Sequence, residues 1–111
     1  MTTTKLEKNV WKSYFDRLSK HMEGMDVQID VASLQFGSQP VARWQSLFGV
    51  IYDTNDDVIA VMAEGLDHMI RQPQAVFVEA RGPAVHSMAV MTADGTRQII
   101  TFKQPLLLPA Q

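Results

Sequence analysis

Asp53, Asn55 and Asp57 stand at alternate positions and Glu64 follows them, which is the spacing of the first, third, fifth and twelfth positions of a calcium-binding EF-hand loop. Carboxylate and amide oxygens at those steps can wrap a hard cation. The sixth position argues against that chemistry. An EF-hand needs glycine there for its sharp turn, and this chain has Val58, a β-branched residue that resists positive φ. The residues that follow, VIAVM, read as a strand, where an EF-hand requires an exiting helix. The expectation is a solvated turn whose Asp and Asn side chains bond nearby backbone. Asp53, Asn55 and Asp57 remain the candidates for a weak, irregular divalent-ion site.

Asp67 and His68 come next. A histidine beside a carboxylate can serve as a general base or as a metal ligand. With Glu64 nearby and His86 on another strand, two histidines and one carboxylate could be assembled. The plainer alternative has Asp67 capping a turn and His68 bonding a backbone carbonyl beside the core. His68 and then Asp67 are the candidate catalytic side chains. Ser87 adjoins His86, but neighbours in a strand point to opposite faces, so the two cannot form a nucleophile–base pair. No Gly-x-Ser-x-Gly elbow, P-loop, GxGxxG or HExxH is present, and no cofactor is expected. Trp11, Trp44, Tyr14 and Tyr52 could line a pocket; they read as core or interface. The chain has 7 methionines. Met62, Met69, Met88 and Met91 read as core filler or, more sharply, as a strand face used for self-association.

The elements that must position these residues follow from periodicity. Thr4-Lys5-Leu6-Glu7 has the pattern of a capping box after a frayed start over residues 1–3. Leu6, Val10, Trp11, Tyr14, Phe15, Leu18 and Met22 then share one helical face, and Gly24 is a natural stop, so a helix is predicted over residues 5–23. Strands are predicted over residues 25–34, 41–52, 58–64, 75–80, 84–92 and 97–103. The second half of the 41–52 strand and the 58–64 strand are apolar on both faces. Residues 35–40, 53–57 and 93–96 read as turns, the last with an Asp-Gly hairpin signature. Residues 65–73 read as a short helical turn or irregular connection ended by Pro73. Pro105 and Pro109 flank Leu106-Leu107-Leu108, an apolar tail expected to pack back on the body. The sum is an α+β fold: an N-terminal helix on a strongly twisted, mostly antiparallel meander of about six strands, able to curl into a small Sm/SH3-like barrel.

Composition narrows the functions. The 111 residues fit a single domain, 1–111, with 46% hydrophobic residues for a core. A net charge of −2, with basic residues scattered, disfavours nucleic acid. The absence of cysteine removes disulfides, thiolate catalysis and thiolate-bound zinc. No apolar run approaches a membrane span and the N-terminus shows no signal-peptide core, so a cytoplasmic protein is expected.

Taken in order, WKSYFDRLSK, LFGVIYDTNDDVIAV, GLDHMIRQP and DGTRQIITFKQPLLLP resemble the bacterial domain-of-unknown-function 5335 family. That resemblance implies no activity. A weaker topological likeness, through Gly49, Asp53 and Asn55 near the hairpin, is to Sm-like barrels and their nucleic-acid binding. The leading expectation is a non-enzymatic domain acting through protein–protein contact as a homo-oligomer, because the two-sided strands and the leucine tail exceed what one helix covers. The alternatives are a small-molecule binder or enzyme with a pocket by His68, Asp67 and Tyr52, and an Sm-like nucleic-acid binder.

Overall fold

The apolar spacing at Trp11, Phe15, Leu18 and Met22 produces the one α-helix of the described residues, α1 (Trp11–Met22), and all four side chains are buried. Lys20 and His21 lie in its last turn, where positive charge meets the exposed carbonyls. Gly24 follows at φ +83, a conformation that favours glycine. This computed structural model describes residues 2–108. Met1 of the expected frayed start and Pro109 beside the leucine tail lie outside the described residues.

The helix begins later than its periodicity suggests. Thr2–Leu6 form a strand, β1, and Lys8–Val10 form a 3-10 turn before α1. The capping box is not made, since Glu7 has no side-chain cap bond. The reason is tertiary: β1 pairs antiparallel with a later strand, Thr4 opposite Val78 and Leu6 opposite Val76. That ladder satisfies backbone groups of the later strand as well as of β1, and the β-branched threonines suit it. The indole Nε1 of Trp11 donates to Leu6 O at 3.1 Å and locks the junction.

Seven further strands follow: β2 (Asp26–Ser33), β3 (Gly37–Asp53), β4 (Val58–Ala63), β5 (Leu66–Arg71), β6 (Pro73–Arg81), β7 (Ala84–Thr92) and β8 (Arg97–Leu107). The expected helical or irregular connection over 65–73 is therefore strand. Glu64 and Gly65, the latter at φ +74, make a two-residue turn between Ala63 and Leu66, and β5 pairs with β4 over its whole length. Gln72 at φ +53 kinks the chain, and Pro73 opens β6 instead of closing an irregular segment.

All pairings are antiparallel, in the order β1-β6-β7-β8-β2-β3-β4-β5. The strands β1 and β5 stand at opposite edges and do not pair, so the sheet is open and the expected barrel is not closed. Two devices bend it. The β2–β3 register shifts twice near Val41 to Trp44, and Trp44 adopts φ +51. The Gln72 kink bends the chain between β5 and β6. Together they bring β5 across the face of β8.

The core fills the space between the bent halves and under the helix. Val27, Ile29, Leu47, Val50, Ile59, Val61, Ile70, Val76, Met88 and Ile100 are buried there with the helix stripe. Trp11 meets Tyr52 edge to face, ring centroids 5.2 Å apart. The leucine tail splits: Leu106 is buried at the end of β8, Leu107 is exposed, and Leu108 packs against the core and donates to Pro83 O at 2.9 Å. No helix among the described residues is long and apolar enough to cross a membrane.

Candidate functional site

The turn between β3 and β4 uses its acidic side chains locally. The Asp53 carboxylate accepts from Asn55 N–H at 2.9 Å and from Asp56 N–H at 3.3 Å, an Asx turn. Asp57 sits at φ +53; its carboxylate accepts the Tyr52 hydroxyl at 2.7 Å and lies 3.7 Å from Lys8 Nζ. Burial, the bond to Asp57 and the charges of Asp57 and Asp53 push the Tyr52 hydroxyl up to about 12. Asn55 is exposed at the tip. Two of the three candidate cation ligands are thus engaged with the protein, and Glu64 lies at the far end of β4, in the next turn.

His68 lies on β5 opposite Val61, on the row that faces the core. Its Nε2 meets Gln98 Oε1 of β8 at 2.5 Å, a polar contact across the bent sheet. An imidazole N–H donating to an amide oxygen satisfies both groups in a half-buried place. Asp67 is exposed on the opposite face of β5, so strand alternation separates the two neighbours. His86 occupies a register irregularity in β7, where both the β6 and the β8 pairings step past it. Ser87 points its hydroxyl at Glu79 at 3.4 Å. Asp67 and His68 therefore do not converge, and His86 and Ser87 make no nucleophile–base contact. No group of three or more His, Asp and Glu side chains suited to a metal ion occurs among the described residues.

A different place gathers a surface. The β2–β3 hairpin ends in Leu34-Gln35-Phe36, and every residue from 34 to 41 is exposed. Ser33 Oγ accepts Phe36 N–H at 3.0 Å and shapes the turn. Leu34 is fully exposed and Phe36 is 69% exposed, although both are large and apolar. Beside them opens a groove of about 650 Å³, lined by Val31, Phe36, Pro40, Val41 and the β7–β8 turn residues Asp94 to Thr96. That turn is tightly bonded: Asp94 accepts from Thr92 Oγ1 at 2.5 Å, from Thr96 N–H at 3.1 Å and from Thr96 Oγ1 at 2.9 Å. The Thr92 and Thr96 bonds hold the Asp94 carboxyl below its usual range. Neither His68 nor Asp67 lines the groove. No motif marks Leu34 and Phe36; the signal the sequence offers is two large apolar residues beside a breaker-rich turn.

Comparison with known proteins adds kinship without chemistry. A family model described as a family of unknown function, DUF5335, matches residues 2–111. A protein of Aquifex aeolicus (strain VF5) named "Uncharacterized protein" is 34% identical over 110 residues, covering 98% of this chain and 99% of its own. No solved structure matches.

Proposed function

The chain belongs to the DUF5335 family of unknown function, and from its surface we propose that it is a binding domain that works through protein–protein contact, with a second copy of itself as the first partner. One observation carries this reading: large apolar side chains stand exposed at several places, Phe48, Ile51 and Met69 on the sheet and Leu34 and Phe36 on a projecting hairpin. Exposing such side chains gains nothing for the fold, whereas burying them against a partner is favourable by roughly 25 cal/mol per Å². The cysteine-free composition suits a reducing, cytosolic setting. Light scattering at micromolar concentration tests self-association. A mass above 12.5 kDa is expected, and a strictly monomeric species would count against it.

A second reading rests on the groove. Its volume falls within the range of about 300–1,000 Å³ common for small-molecule pockets, and Asp94, Thr96 and Gln39 offer polar contacts at its rim. A fragment screen by NMR, with shifts confined to Val31 to Val41 and Asp94 to Thr96, would favour it over protein contact.

A further inference from the structure

Building on the reading that the chain self-associates, we propose that the contact is made by the free edge of β5, which pairs antiparallel with β5 of a second copy across a two-fold axis at Met69. Other unpaired sheet edges among the described residues carry features that resist pairing. The Gly37–Gln45 part of β3 carries Pro40, two register shifts and Trp44 at φ +51, all of which spoil pairing. The β1 edge is short and carries Lys5. β5 is also short, six residues against five, and carries Asp67 and Arg71, but it has no Pro, no Gly and no register shift. Leu66 to Arg71 pair with β4 in six consecutive, unshifted steps, and among the described residues no strand pairs with their other edge.

The phase of the ladder follows from two bonds. Gln72 N–H donates to Asp57 O at 3.2 Å, and these residues stand opposite each other one step beyond the Val58–Arg71 pair. Val50, opposite Val61, turns its N–H and C=O away from β4, toward Ser19. Both observations make Ile59–Ile70 and Val61–His68 the hydrogen-bonded pairs of β4 and β5. The N–H and C=O groups of Asp67, Met69 and Arg71 therefore point outward from the edge. Backbone groups so placed are those that pair when a strand is added.

The side chains fix the partner as a second copy. Asp67, Met69 and Arg71 share the outer face, Asp67 and Arg71 are exposed, and Met69 is 45% exposed. Four residues apart on a strand is about 13 Å, so Asp67 and Arg71 cannot reach each other. Across a two-fold at Met69, each Asp67 meets Arg71 of the other copy, and the two Met69 side chains meet at the centre. Moving the axis to His68 or Ile70 loses both charge pairs. Ile51 and Ala60 lie in the same row as Met69, so pairing joins two apolar rows into one continuous stripe across both sheets. The surface is then isologous and closes as a dimer.

The test compares wild type with charge variants by light scattering and sedimentation, with far-UV circular dichroism to check the fold. Wild type is expected at about twice 12.5 kDa. Arg71→Asp sets like charges against each other at both ends and is expected to weaken dimerisation about tenfold or more. The double exchange Asp67→Arg with Arg71→Asp restores it. Met69→Pro, which removes an outward N–H without touching the β4 ladder, weakens it independently and serves where a charge variant fails to fold. A wild-type dimer indifferent to Arg71→Asp and Met69→Pro, or a double exchange no tighter than the single change, would overturn the β5 interface while leaving self-association in place. A wild type that stays monomeric would overturn both.

Discussion

The hydroxyl of Ser19 accepts Val50 N–H at 3.0 Å and donates to Val50 O at 2.8 Å, so one helical side chain does for β3 what a neighbouring strand would do. Val50 lies on the part of β3 that pairs with β4 on one side only; α1 takes the other side. The helix thereby seals an edge as well as a face. Gly49 makes the approach possible, because a Cβ there would meet Ser19 Oγ at 3.3 Å and Met62 Cε at 3.7 Å.

Ser19→Ala should therefore cost more than an ordinary part-buried serine. It leaves both a donor and an acceptor of Val50 without a partner, for about 1–3 kcal/mol. Gly49→Ala should destabilise in the same direction by about 1 kcal/mol through crowding of Ser19. Urea unfolding followed by circular dichroism measures both. A Ser19→Ala variant as stable as wild type would mean that water replaces the hydroxyl.

Tyr52 links the core to the acidic turn. With its hydroxyl pushed up to about 12 from an ordinary 10.0, the folded state keeps the proton over a window in which the unfolded chain has lost it. Its contribution is full below about pH 10 and falls away as pH rises to about 12. Tyr52→Phe should flatten that alkaline loss. At neutral pH it should cost about 1–2 kcal/mol for the bond to Asp57. Thermal melts from pH 8 to 12 on both proteins read the effect, and parallel curves would refute the assignment.

The contact between His68 and Gln98 should behave as a coupled pair. Each change to alanine strands one polar group half-buried between β5 and β8, and the double change relieves that penalty. A double-mutant cycle should give a coupling of about 0.5–1.5 kcal/mol in folding stability. Additive effects would show that the two groups meet without interacting.

The hairpin tip should separate stability from exposed apolar surface. Leu34→Ser with Phe36→Ser removes side chains that touch little in the monomer, so unfolding free energy should stay within about 0.5 kcal/mol of wild type. Binding of an apolar fluorescent dye should drop. Loss of stability instead would place these side chains against the body in solution.

Much of the architecture was legible in period and turn chemistry. The stripe from Trp11 to Met22 reads as a helix because each residue recurs on one face. The strands over 58–63 and 84–92 and the 97–103 part of β8 lie where alternation and the Asp-Gly turn put them, while the extension of β8 to Leu107 takes in residues read as a tail. β1 was hidden, since Thr4-Lys5-Leu6-Glu7 satisfies a local capping pattern equally well and only a distant edge on β6 decides between them. β5 was hidden because Asp67 and His68 look like chemistry, and a polar residue on each face masks the alternation. Neighbours such as Asp67 and His68 invite a shared role on paper, and a strand sends them to opposite faces.

What the sequence determined alone is what local physics can enforce: the helix face, the Asx turn at Asp53, the antiparallel hairpins and the scattered charge. What only the tertiary structure decided depends on contacts between distant residues. Gln98 reaches His68, Ser19 seals Val50, and the bends at Trp44 and Gln72 carry β5 across β8 in a sheet that stays open along β5. Pattern along the chain specifies which way a side chain faces; which partner it meets there is settled by the bends, whose energetics are those of the whole fold.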